Sequence, residues 1–120
     1  GPYRARMEIV IVGAGEVGLY LADILSREGH GVSVIDPDPD KIARLRESMD
    51  VQAVEGDGTK AAVLNEAGAP KCDLFVAVTD NDHVNMLGCS LARALGARRV
   101  ILRLKDTSRM SGYHFFYKRT

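Results

Sequence analysis

Short apolar runs alternate along the chain with segments whose apolar residues recur at helical spacing. Residues 9–12 are four β-branched residues in a row, the pattern of a strand covered on both faces. Residues 32–35, 51–54, 74–78 and 99–104 repeat the theme, the first two bounded directly by glycine or acidic residues. Between them the apolar residues fall three and four apart. Val17, Leu21, Ile24 and Leu25 predict a helix over about 15–28, and Ile42, Leu45 and Met49 predict one ending near Asp50. Val63 and Leu64 predict a short third helix, with Thr59 as its cap. Met86, Leu87, Leu91 and Leu95 form the apolar stripe of a fourth over about 82–95. Strand and helix therefore alternate, and right-handed crossovers give an α/β, Rossmann-like doubly wound parallel sheet of order 3-2-1-4-5 in a single domain.

The turn after the first strand carries chemistry. Gly13, Gly15 and Gly18 make G-x-G-x-x-G between a strand and a helix. In a dinucleotide fold the first glycine makes the turn, the second lets the backbone approach a pyrophosphate, and the third lets the helix pack close. The phosphates would sit on the free N–H groups of the helix N-terminus, beside Ala14, Glu16 and Val17. Asp36 closes the second strand eighteen residues after Gly18, where an acidic residue meets ribose hydroxyls, with Pro37 next to it. Asp38 and Asp40 read as helix caps.

Three further segments end at the same edge of the sheet. Glu55-Gly56-Asp57-Gly58-Thr59 is a loop whose backbone can approach a ligand; Asp57 either meets an adenine amine or bonds its own loop. Val78, Thr79, Asp80, Asn81 and Asp82 end the fourth strand, and Asn85 follows in the next helix, from which it could point back to the crevice. Arg103 interrupts the apolar fifth strand and needs either a phosphate or a surface carboxylate. His30 reads as a surface turn residue and His83 as solvated or capping.

Composition narrows the class. Sixteen basic residues balance sixteen acidic ones in 120 residues, so no global field draws the chain to nucleic acid or an anionic membrane. No apolar run approaches the roughly 20 residues a membrane-spanning helix needs. Cys72 and Cys89 read as buried thiols of a reducing compartment. No metal-ligand spacing stands out, and no Cys, His, Lys or Tyr is placed as a catalyst. Residues 1–6 read as a tag scar or leader. Residues 106–120, with aromatic positions 113–117, read as a linker and the start of a helix toward a dimer partner or a further lobe.

Taken together, Gly13-Ala14-Gly15-Glu16-Val17-Gly18, Asp36, the loop 55–59, the segment 76–82 with Asn85, and Val100-Ile101-Leu102-Arg103 resemble the N-terminal nucleotide-binding lobe of the RCK or KTN regulators of potassium conductance, over residues 7–105. They are most similar to the Trk and Ktr type. The resemblance implies a regulator rather than an enzyme. It implies that NAD, NADH, ATP or ADP binds, that homodimers assemble into a ring, and that the ring docks on the cytosolic face of a membrane-embedded potassium transporter or channel. The site residues it implies are Gly13, Ala14, Gly15, Glu16, Val17, Gly18, Asp36, Pro37, Asp57, Gly58, Thr59, Val78, Thr79, Asp80, Asn85 and Arg103. Glu16 would repel a triphosphate at a cost on the order of 1 kcal/mol, and Asp36 prefers two free ribose hydroxyls, so NAD or NADH is expected, with ATP, ADP and AMP as competitors and NADP disfavoured. The dinucleotide domain of an NAD-dependent dehydrogenase is the alternative from another class.

Overall fold

The computed structural model describes residues 5–109. Five parallel strands lie in the order β3-β2-β1-β4-β5: β1 Glu8–Val12, β2 Gly31–Asp36, β3 Gln52–Glu55, β4 Leu74–Ala77 and β5 Val100–Leu102. The expected strand order holds. Four α-helices connect them, α1 Glu16–Arg27, α2 Pro39–Ser48, α3 Ala61–Glu66 and α4 Asp82–Leu95, with one 3-10 turn at Ala69–Lys71. Successive strand residues point to opposite faces, and this sorts the core into two layers. Ile9, Ile11, Val34 and Val76 pack with Ala22, Ile42 and Leu45 of α1 and α2. Val10, Val12, Val54 and Phe75 pack with Leu64 of α3 and Cys89 and Ala92 of α4. β1 is central and has both faces covered, which is why its sequence is unbroken β-branched residue.

The helix termini follow local chemistry. Asp38 caps α2 by accepting from the Asp40 N–H at 2.9 Å, with Pro39 in the first turn. Asn81 caps α4 by accepting from the Val84 N–H at 3.1 Å. Thr59 does not cap α3. Lys60 stands at that position, and the Thr59 N–H and hydroxyl both go to Asp57 Oδ1. The Asp-x-Thr turn satisfies itself locally and leaves the helix start without a side-chain cap.

Two apolar expectations are corrected at the β5 side. Leu87 is 56% exposed, and the buried face of α4 is instead Asn85, Gly88, Cys89 and Ala92. The reason is proximity: a Cβ on Gly88 would lie 3.0 Å from the Gly58 carbonyl oxygen, so the helix rides on its small residues. Ile101 is 54% exposed and Leu104 half-buried, although a buried strand over 99–104 is expected. β5 is the edge strand, spans three residues, and its Ile101 lies beside Val76 on the face opposite α4. Met86 is half-buried rather than central. Cys72 and Cys89 are buried and form no disulfide; burial pushes their thiols up to about 11 and about 12, so neither is a thiolate at neutral pH. His30 sits in the turn before β2, where its Nδ1 accepts from the Met7 N–H at 3.0 Å. Residues 1–4 and 110–120, and with them the aromatic positions 113–117, lie outside the described residues.

Candidate functional site

The C-terminal ends of β1, β2, β4 and β5 meet where the strand order reverses, between β1 and β4. In open parallel sheets that edge is where ligands bind. The three motif glycines are explained differently there. Gly13 has φ +112°, and a Cβ on it would press on the Val78 carbonyl and the Thr79 nitrogen at 3.2 Å. A Cβ on Gly18 would lie 1.7 Å from the Gly13 carbonyl oxygen. The protein itself demands both. Gly15 is different: its φ of −81° and ψ of −166° suit any residue, it is exposed, and nothing lies within 4 Å of where its Cβ would stand. No protein atom needs a glycine there.

Gly15 is also the N-cap of α1, and no side chain caps that helix. The first intrahelical bond runs from the Leu19 N–H to the Gly15 carbonyl, so the N–H groups of Glu16, Val17 and Gly18 have no partner within the helix. Uncapped donors, the positive end of a helix dipole and open space above them make a seat for a phosphate. Glu16, exposed in the first turn, brings the opposing charge. A cleft of about 390 Å³ runs from Ala14, Gly15 and Glu16 along Leu19 to Lys41, Arg44 and Leu45 of α2.

Asp36 lies beneath the loop and is buried. Its Oδ2 accepts from the Ala14 N–H at 2.8 Å and its Oδ1 from the Asp38 N–H at 2.9 Å. It thus latches the glycine loop to the end of β2 and fixes the Pro37 turn. Each oxygen keeps lone-pair capacity for a hydroxyl donor. Asp57 is exposed in the next loop, where the Thr59 hydroxyl at 2.6 Å and its N–H at 2.9 Å hold the carboxyl below its ordinary range. Gly58 is buried and has no room for a side chain, since a Cβ would meet Val12 at 2.5 Å.

Asn85 is the expected site residue whose position departs most from expectation. It does not point into the crevice. It is fully buried, its Oδ1 accepts from the Thr79 N–H at 3.0 Å and the Thr79 hydroxyl at 2.7 Å, and its Nδ2 donates to the carbonyls of Thr79 and Arg103. It staples the ends of β4 and β5 together, and the sequence signal for this is a polar residue on the inner face of an amphipathic helix. Asp82, which sequence reasoning places in the polar cluster after the fourth strand and at the start of the next helix, does similar work. Its carboxylate accepts from the Lys105 N–H at 2.8 Å and the Asp106 N–H at 2.9 Å, with Arg109 Nε at 3.3 Å. Those backbone bonds, then the Arg109 charge, hold its carboxyl below the ordinary range. Arg109 also reaches His83 Nε2 at 2.7 Å. Arg103 takes the carboxylate partner of its two alternatives, Asp80, at 3.6 Å.

The TrkA-N domain family matches residues 9–114. The chain belongs to that family. This TrkA-N domain is 42% identical over 89 residues to the Trk system potassium uptake protein TrkA of Halomonas elongata, covering 74% of this chain and 20% of that protein. It is 43% identical over 100 residues to the Trk system potassium uptake protein TrkA homolog of Archaeoglobus fulgidus, covering 83% and 22%. The chain thus spans about a fifth of the length of these curated relatives. Among solved structures, the GsuK channel bound to NAD superposes with a TM-score of 0.80 at 23% identity, over 95% of this chain and 21% of that one. The Kef C-terminal domain of Shewanella denitrificans in its AMP-bound form superposes with a TM-score of 0.77 at 24% identity, over 92% and 67%. At these identities the two structures speak for the shared fold.

Proposed function

We propose that this TrkA-N domain is the nucleotide-sensing lobe of a potassium uptake regulator, and that NAD or NADH is its ligand. The observation that carries the reading is Gly15: an N-cap without a cap, glycine where the protein needs none, under open space at the sheet's switch point. Phosphates would lie on the N–H groups of Glu16 to Gly18, the ribose over Asp36 and Pro37, and the adenine near Asp57, Gly58 and Thr59. The remaining half of a dinucleotide would pass Val78, Thr79, Asp80 and Arg103. Glu16 favours a dinucleotide over ATP, since the carboxylate faces a triphosphate with like charge. The relatives' names support a potassium uptake system as the setting, and the NAD-bound and AMP-bound fold neighbours support a nucleotide as ligand. In that setting the lobe, residues 7–105, binds without turnover. It works as a homodimer within a ring on the cytoplasmic face of a membrane-embedded potassium transporter or channel, with residues 106–120 as the link toward a dimer partner or a further lobe.

Calorimetry with NAD⁺, NADH, ATP, ADP and AMP tests this on the wild-type chain and on Gly15→Val. The valine fits the free protein and fills the phosphate seat, so binding should vanish while Tm stays within a few degrees of wild type. Glu16→Gln should raise ATP affinity about fivefold relative to NAD⁺, as removal of roughly 1 kcal/mol of repulsion implies. ATP or ADP preferred by the wild type would overturn the choice of NAD. Absence of all nucleotide binding would overturn the sensor. Steady NAD-linked oxidation of a substrate would favour the dehydrogenase alternative.

A further inference from the structure

The nucleotide placement above does not use the cleft of about 390 Å³ between α1 and α2. Its α2 wall is one helical face, because Lys41, Arg44, Leu45, Ser48 and Met49 recur three and four apart. Leu45 is buried, and Leu19 and Met49 are half-buried against the same core layer, so the floor is apolar. Lys41 is half-buried and Arg44 exposed. Neither side chain has a hydrogen-bond or ion-pair partner among the described residues. Nearby cations are engaged: Arg46 Nη2 donates to the Ala53 carbonyl at 2.9 Å, and Arg27 pairs with Asp23 at 3.0 Å. The Ser48 hydroxyl already donates to the Arg44 carbonyl at 2.8 Å. Lys41 and Arg44 are therefore the side-chain donors that the cleft offers. Glu16, exposed on the α1 wall, is the one carboxylate among the residues that line it.

We infer that this cleft is a second ligand site, which takes a small organic monocarboxylate with an apolar body. The carboxylate lies on the planar fork of Arg44 and the Lys41 ammonium, and the body lies over Leu19, Leu45 and Met49. Charge selects the head group. Two unpaired cations against Glu16 leave a single net positive charge, which one carboxylate balances and a nearly doubly charged phosphate ester overfills. Size selects a small molecule over a protein segment, since the volume lies toward the lower end of the roughly 300–1,000 Å³ of ligand sites. An apolar floor with a few placed polar groups is also the usual make-up of such sites. The walls are pre-formed: α1 and α2 are fixed on one face of the sheet by Ala22, Ile42 and Leu45. The site stands apart from the nucleotide reading, because its cations lie on α2 and the proposed phosphate takes the N–H groups of α1.

The test is an NMR titration of the ¹⁵N-labelled 120-residue chain, without nucleotide, with three probes. These are 4-phenylbutyrate, butyrate, which keeps the charge without the body, and 4-phenylbutylamine, which keeps the body with the opposite charge. Phenylbutyrate should shift the amides of residues 15–19 and 41–49 saturably. It should bind at least about tenfold more tightly than either control, as burial of a phenyl group and two charged contacts imply. The double variant Lys41→Gln, Arg44→Gln should weaken phenylbutyrate about five- to tenfold, the size expected of two exposed charged contacts. Ser48→Trp should abolish binding by filling the cleft, with Tm close to wild type. The inference falls if phenylbutyrate shifts no amides in these two segments, or if the amine binds the wild type as tightly as the carboxylate. Both of those readings need no variant. It also falls if the double variant binds phenylbutyrate within twofold of wild type at unchanged Tm.

Discussion

The two turns that flank the crevice are held in opposite ways. The β1–α1 turn is held by backbone contact: Gly18 lies against the Gly13 carbonyl, Gly13 against Val78 and Thr79, and a buried Asp36 reaches in from the neighbouring strand. Its helix start is left uncapped. The β4–α4 turn is held by its own side chains. Asn81 caps the helix, Asn85 takes the Thr79 backbone, and Asp82 takes the backbone of the segment leaving β5. One turn keeps its donors free and the other spends them. The proposed phosphate is therefore assigned to α1 rather than α4, although both helices start at the same edge of the sheet.

The sharpest way to break the β1–α1 turn is Gly18→Ala. A methyl 1.7 Å from a backbone oxygen cannot be absorbed by a rotamer change, so α1 must move off the sheet. The expected loss exceeds about 3 kcal/mol, a large share of a domain's typical stability, and urea denaturation reads it directly. On the other turn the corresponding break is Asn85→Ala. It strands the Thr79 N–H and the carbonyls of Thr79 and Arg103 in a buried setting, and about 2–4 kcal/mol should go. The two losses differ in kind. Gly18→Ala fails by overpacking and Asn85→Ala by unsatisfied polar groups, so Asn85→Asp, which keeps the acceptor but turns a buried carboxylate oxygen on the Thr79 and Arg103 carbonyls, should recover none of the second at neutral pH.

The order of the strands, both core layers and the glycine turn were legible because each rests on local periodicity and on residues within one β-α unit. The Asn85 staple was not, because its partners come from β4 and β5 and only the tertiary fold brings the Arg103 carbonyl to a helix eighteen residues earlier. Leu87 and Ile101 misled for a related reason. An apolar residue on an edge strand or on a helix riding on glycine and alanine looks in sequence like any core residue. For Asp57 and Arg103 the sequence allows either a ligand or a local partner, and the structure shows the local partners, Thr59 and Asp80.

Acid should sharpen the comparison at smaller amplitude. The carboxyls of Asp82 and Asp106 lie below their ordinary values, the first chiefly through backbone N–H groups of Lys105 and Asp106, the second chiefly through the Ser108 hydroxyl and N–H. Asp57 is held down by Thr59. Each binds a proton less readily folded than unfolded. Their contribution is therefore intact above the ordinary carboxylate pKa of about 4 and is lost as pH falls through the lower folded values. Urea midpoints should drop below about pH 4, and Asp82→Asn should flatten that fall and lower the plateau near neutrality.

The smallest expected effect has the opposite sign. Gly15 already has the extended conformation of an N-cap, so Gly15→Ser should place a hydroxyl on the free N–H groups of α1 without backbone strain. Capping and the loss of glycine's freedom in the unfolded chain should together add about 0.5 kcal/mol, seen as a small rise in the urea midpoint. The same hydroxyl competes with a phosphate for the same donors, so nucleotide affinity should fall in the variant that is more stable. A rise in stability with unchanged affinity would mean that the ligand does not use the α1 N-terminus. A fall in both would mean that the loop is shaped by something other than the open seat at Gly15.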